Sequence, residues 1–245
     1  IFPGEQQFFY PDDSIAEDIN VTMEGTVVSL DSDPTHQFHA VTIEYNEDGD
    51  IKRLVRVYKA SENGKLQVWA NILGSDGEPL FGTALKFGRH AGELFIGSPT
   101  YDGGSVKYYK HSGDLNSENV NGTWSLQQTI TNPTSENADA FGGSLDFFAK
   151  NETSRWLAVG APQARVGSSN AAGAVFVFRY QSASDEFFPV RGATIDSARI
   201  HANGDHDFRG KIYGGNTGAP EQDIVGQDDF FGSVVKIVPN PQLSS

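Results

Sequence analysis

Short runs in which apolar and polar residues take turns recur along the chain. Val55 and Val57 alternate with Arg56 and Tyr58, a period of two carried by β-branched and aromatic residues, as in a half-buried strand. The same texture marks residues 25–30, 39–43, 54–58 and 66–72, and later 124–130 and 187–190. Clusters of Gly, Asp, Asn or Pro bound each run and supply turns. No stretch sustains a period of 3.6 residues, so the sequence predicts an all-β chain with little helix.

The runs are organised by a repeat. Phe81-Gly82-Thr83, Phe141-Gly142-Gly143 and Phe231-Gly232-Ser233 each open an apolar stretch. Two of the three lead to a second phrase, Gly97-Ser98-Pro99 and Gly160-Ala161-Pro162. A third phrase follows, Gly104-Ser105-Val106-Lys107-Tyr108 and Gly173-Ala174-Val175-Phe176-Val177. Tandem self-similarity of this kind marks one supersecondary unit used several times. Glycine at Gly82, Gly142 and Gly232, and at Gly97 and Gly160, permits positive φ or close backbone approach. The phenylalanines Phe81, Phe141 and Phe231 are expected to pack between neighbouring sheets.

In order and wording these phrases resemble the FG-GAP repeat, the blade unit of integrin-alpha-type β-propellers. The resemblance covers the chain from about residue 25 to its end. It implies four-stranded antiparallel blades at about 25–79, 80–138 and 139–228, and the first strand of a further blade at 229–245. Residues 1–24 are then an N-terminal extension or a ring-closing segment. Phe81 and Phe141 are 60 residues apart, but Phe141 and Phe231 are 90 apart. The third blade is therefore expected to carry an insertion near 201–227, a Gly-, Asp- and Asn-rich stretch without strand alternation. Three blades and a strand make an incomplete ring, so further blades of a longer chain, or another chain, are expected to complete it.

Composition narrows the partners. The formal charge is −14, which opposes nucleic acid, a partner that requires a basic face. No apolar run approaches the ~20 residues of a membrane-spanning helix, so no membrane insertion is expected. Cysteine is absent, which removes disulfides, thiolate metal sites and a cysteine nucleophile. Three sequons, at Asn20, Asn121 and Asn151, are candidate glycosylation sites. They accord with the extracellular or cell-surface, secreted setting that the resemblance implies.

Candidate chemistry is sparse. In the family an Asp-rich loop between the first two strands binds calcium through oxygen ligands on alternate residues. This chain departs from that pattern, offering only half a site at Asp31 and Asp33, with a turn in which Asp caps its own backbone as the alternative. The Asp48-Gly49 pair reads as hairpin chemistry. His201, Asp205, His206 and Asp207 in the insertion are a second candidate metal set. Tyr101 is the best-placed loop aromatic for stacking on a ligand. No nucleophile elbow, His-Glu-x-x-His or phosphate loop is present, and calcium is the only cofactor suggested. The resulting expectation is a non-enzymatic adhesion, recognition or surface-assembly module that binds a protein or glycan through rim loops. The alternatives are a metal-dependent hydrolase or lyase acting on polysaccharide or phosphoester, and a structural subunit of an extracellular filament or sheath.

Overall fold

The computed structural model describes residues 25–61, 65–75, 77–100, 103–117, 122–133, 140–164, 173–196 and 232–237. Among these residues there is no helix, and the strands form three four-stranded antiparallel sheets. Sheet 1 comprises β1 (Gly25–Ser32), β2 (Phe38–Glu47), β3 (Asp50–Ala60) and β4 (Leu66–Leu73). Sheet 2 comprises β5 (Ala84–Phe87), β6 (Glu93–Ser98), β7 (Ser105–His111) and β8 (Trp124–Thr131). Sheet 3 comprises β9 (Ser144–Ala149), β10 (Arg155–Ala161), β11 (Ala174–Gln181) and β12 (Glu186–Asp196). Each sheet is a meander in chain order.

The alternating runs all lie within strands. β12 continues past residue 190 to Asp196, with an irregular register opposite Phe176–Phe178. Asp48 and Gly49 have φ of 56° and 95° and connect β2 to β3 in two residues, the positive-φ pair that matches the twist of a hairpin. Residues 232–237 carry no strand; they lie against β9.

Between consecutive sheets lie two separate cores. Phe38, Val55, Val57 and Trp69 of sheet 1 meet Phe81, Leu85, Leu94 and Ile96 of sheet 2. Phe95, Val106 and Tyr108 of sheet 2 meet Phe141, Leu157, Val159, Phe176 and Phe178 of sheet 3. β6 is buried at every position because Leu94 and Ile96 feed one core while Phe95 feeds the other. A strand covered on both faces reads as an unbroken apolar run instead of an alternating one. Each large side chain buried this way contributes roughly 1.5–3 kcal/mol.

The sheets are clasped at the repeated glycines. Gly82 (φ 77°), Gly142 (φ 94°) and Gly232 (φ 84°) all sit in the left-handed region, where a side chain is strained. The Gly82 N–H donates to Gly97 O (2.9 Å), and the Gly142 N–H to Gly160 O (3.1 Å), each within its own sheet. The carbonyls face the preceding sheet. Gly82 O accepts from Ser29 Oγ (2.6 Å) and Thr42 Oγ1 (2.8 Å), and Gly232 O accepts from Ser144 Oγ (2.7 Å). A methyl group on Gly97 would overlap the Gly142 carbonyl oxygen, and one on Gly160 would overlap Gly232 O. In sheet 1, which lacks the second phrase, Thr42 holds the equivalent place and meets the incoming carbonyl with a hydroxyl.

Gly97→Ala should therefore destabilise the chain by about 3 kcal/mol or more, since backbone must move to admit the methyl. Gly49→Ala, at a positive φ of 95° but with nothing within 4 Å of the added carbon, should cost only about 1 kcal/mol. Urea unfolding midpoints of the two variants compare these directly.

Candidate functional site

The first strands β1, β5 and β9 lie side by side. At the ends leading into their hairpins they frame a cleft of about 570 Å³, lined in part by Asp31, Asp33, His36, Lys86, Arg89, His90 and Phe148. This cleft is the candidate functional site, because two turns and the end of β9 converge on it and loops carried on a rigid scaffold commonly hold function.

Its carboxylates are committed to the protein. Asp33 is fully buried; its Oδ1 accepts the Phe38 N–H (2.6 Å), and its Oδ2 accepts the Thr35 N–H (2.8 Å) and hydroxyl (2.5 Å). These bonds close the β1–β2 turn, in which His36 has φ 59°. Asp31 Oδ2 accepts the Phe87 N–H of the neighbouring sheet (2.7 Å), and its Oδ1 lies 3.6 Å from Lys86 Nζ. Lys86 also lies 3.3 Å from Asp146. Asp146 in turn accepts the Ile237 N–H (2.6 Å) and faces Lys236 (3.5 Å). Among the described residues no three His, Asp or Glu side chains converge as a metal would require.

Beside the mouth a charged network joins sheets 2 and 3. Glu152 accepts from Arg89 Nε (2.7 Å) and Arg155 Nη2 (2.7 Å), with His90 Nε2 at 3.0 Å. The hydrogen bond with His90 holds the Glu152 carboxyl below its usual range against an opposing desolvation, and the Arg89 bond adds to the lowering. Arg155 is buried, donates through Nη1 to Glu93 (2.6 Å) and covers the Tyr180 ring at 4.4 Å. Tyr108 donates to the same Glu93 oxygen (2.9 Å), and burial first, then Glu93, raises its pKa. Tyr180 donates to Asp185 (2.7 Å), which also receives Lys110 Nζ (2.5 Å). Burial and this bond push Tyr180 up to about 12. Burial alone would raise Asp185, but the Lys110 and Tyr180 bonds outweigh it and hold the carboxyl low.

The expected site residues are distributed as follows. Asp31 and Asp33 line the cleft. Asn151 is exposed at the β9–β10 hairpin, where its Oδ1 accepts the Thr153 N–H (3.1 Å) and Ser154 N–H (2.7 Å). Phe81 and Phe141 are fully buried, Pro99 is buried and Pro162 half-buried. Asn20, Tyr101, Asn121, His201, Asp205, His206, Asp207 and Phe231 lie outside the described residues. Sequence reasoning missed Lys86, Glu93, Asp146 and Arg155. The available signal was a charge placed at the head of an apolar run, as Glu93 precedes Leu94-Phe95-Ile96 and Arg155 precedes Trp156-Leu157.

No family model matches the chain, and no curated protein matches it. Among solved structures it is similar to Sqt1 from Chaetomium thermophilum, with 17% sequence identity and a TM-score of 0.44. The likeness covers 68% of this chain and 36% of that one, so the chain spans about a third of the length of that structure.

Removing the guanidinium leaves Glu93 buried and short of its partner. Arg155→Ala should therefore cost about 3–5 kcal/mol, measured by chemical denaturation. A group whose folded pKa is raised loses its stabilising contribution as pH rises from the unfolded value through the folded one. For Tyr180 that window runs from about pH 10 to about 12. Thermal melts should decline across it, and Tyr180→Phe should flatten that decline. Asp185, held low, contributes above its unfolded value and loses that contribution as pH falls below it. Asp185→Asn should correspondingly flatten the acid limb of the same melts.

Proposed function

We propose that the three sheets are blades of a β-propeller of the FG-GAP, integrin-alpha-like type, and that the chain is a non-enzymatic extracellular module of adhesion, recognition or surface assembly. The observation that carries the proposal is the repeated clasp. The same glycine turn enters sheets 2 and 3 and recurs at Gly232, each time resting on the preceding sheet. A unit that uses one flank to receive a turn and the other to supply one propagates around an axis. The first strands would line that axis, and the cleft would open at one end of it.

Within this proposal the cleft mouth engages a protein or glycan through His36, His90 and the half-buried aromatic Phe148, which stacks on Trp156 at 5.7 Å. Aromatic faces beside polar loop groups suit sugar rings and peptide side chains alike. Among the described residues, the cleft acids Asp31 and Asp33 and the neighbouring Asp146 are engaged with backbone N–H groups or cations, which favours binding over turnover there. Assembly into a larger structure is the second reading. It is favoured by apolar side chains on the outer flanks, notably Leu30 at 62% exposure and Phe188 at 38%.

A glycan array, together with cross-linking capture from the extracellular fraction of the native source, tests the module. Binding should fall at least tenfold in a His36→Ala, His90→Ala double variant whose melting temperature is unchanged. Divalent-dependent release of product from a polysaccharide or phosphoester, with no stable complex, would favour the hydrolase instead.

A further inference from the structure

The side chains that line the cleft offer more hydrogen-bond donors than acceptors. The acids are occupied within the protein. Both oxygens of Asp33 accept, from the Thr35 and Phe38 N–H groups. One oxygen of Asp31 accepts the Phe87 N–H, and the other faces Lys86. The cations keep donors in hand. Lys86 carries three N–H groups and meets two acids, Asp31 at 3.6 Å and Asp146 at 3.3 Å. Both distances exceed the roughly 2.7–2.9 Å of a close charge-assisted bond, and at least one N–H is left over. Arg89 donates to Glu152 through Nε. Among the described residues no acceptor takes the N–H groups of its two terminal nitrogens. The ring of His36, exposed in the β1–β2 turn, likewise has no partner among the described residues.

A surplus of donors selects a ligand rich in acceptors. A carboxylate or a sulfate accepts several N–H bonds at once and pairs with both prongs of a guanidinium. The remaining wall suits a sugar ring. Phe148 lines the cleft and is stacked on Trp156 at 5.7 Å with 21° between the rings, so it offers a fixed apolar platform. The volume of about 570 Å³ falls within the range of small-ligand sites. An extended acidic peptide fits less well, because such peptides add to a free strand edge and the Phe87 N–H of β5 is already taken by Asp31. The formal charge of −14 repels a long polyanion from a distance, so the ligand carries its charge on a few groups.

We propose that the cleft binds a short acidic sugar, carboxylated or sulfated, with its anionic group held by Lys86 and Arg89 and its ring against Phe148. This assignment rests on the reading that the cleft mouth engages a ligand, and it fixes that ligand's chemical class.

Isothermal titration calorimetry of the full chain tests it. The probes are trigalacturonate and its methyl ester, a 6-sulfated galactose trisaccharide and its unsulfated parent, and tetraglutamate. One acidic sugar or the other should bind about tenfold or more tighter than its uncharged counterpart, and the one that does identifies the group as carboxylate or sulfate. Arg89→Gln should erase that preference, a loss of about tenfold or more for one charged hydrogen-bonding partner. Phe148→Leu should weaken the acidic sugar while its preference over the uncharged counterpart persists. The comparison of charged with uncharged sugar needs no variant, so it decides the matter even where a variant fails to fold. Equal binding of charged and uncharged sugars overturns the charge assignment and leaves a glycan site standing. Acidic-sugar binding undiminished in both variants places the sugar elsewhere and overturns the assignment. Binding of tetraglutamate without either acidic sugar overturns the sugar and leaves a recognition module. If no probe binds, the assignment falls. The module reading then survives only if the array or cross-linking still returns a partner lost with His36 and His90.

Discussion

Everything in this structure depends on how closely one backbone is allowed to approach another. A carbonyl of the turn entering each sheet sits where the preceding sheet has no side chain, at Gly97 or Gly160, or where it has a hydroxyl, at Thr42. That contact sets the spacing between sheets, and the spacing sets which side chains fill the gap. Phe81 and Phe141, one residue before the clasping glycines, are thereby driven to the centre of the two cores, each fully buried. Strain at the positive-φ glycines is avoided by the absence of a Cβ, so the cost falls on backbone entropy alone.

The two junctions are built with different chemistry. Between sheets 1 and 2 the centre is aliphatic and aromatic, edged by Lys59, which caps Leu115 O (2.6 Å) and Ser117 O (2.7 Å) and lies over the Trp69 ring. Between sheets 2 and 3 the apolar centre is continued by Arg155, Glu93, Tyr108, Tyr180 and Asp185. A buried ion pair is weak evidence of extra stability. Its value here is geometric, because Arg155 can satisfy Glu93 and Glu152 only in one relative placement of β6, β10 and the β9–β10 hairpin.

The strands and the clasp were legible in the sequence because they follow from local rules: alternation, turn residues, and glycine where the chain must bend or crowd. Val55 and Val57 announce β3, and Gly82, Gly97, Gly142 and Gly160 announce the close contacts. The electrostatics were not legible. Lys86 meets Asp31 and Asp146 across 55 and 60 residues of sequence, and no short-range pattern encodes such a meeting. Asp33 shows the opposite case. Read in isolation it offers half a metal site or a turn that caps its own backbone, and the Thr35 and Phe38 N–H groups around it reveal how its oxygens are used.

The sheets are bound flank to flank, and the ladders stay within each sheet. Where backbone does bridge two sheets, as in the Phe141 N–H bond to Gly103 O (3.0 Å) and the isolated parallel bridge of Phe141 with Gly104, the link is one residue pair wide. Mechanical load applied along the chain would thus meet stiff units in series with narrow joints. Under tension such a molecule should part at a junction first, one sheet at a time, each unit keeping its own ladder while the next is peeled away. Extension would then advance in steps of one repeat, a graded compliance that a single continuous sheet could not provide.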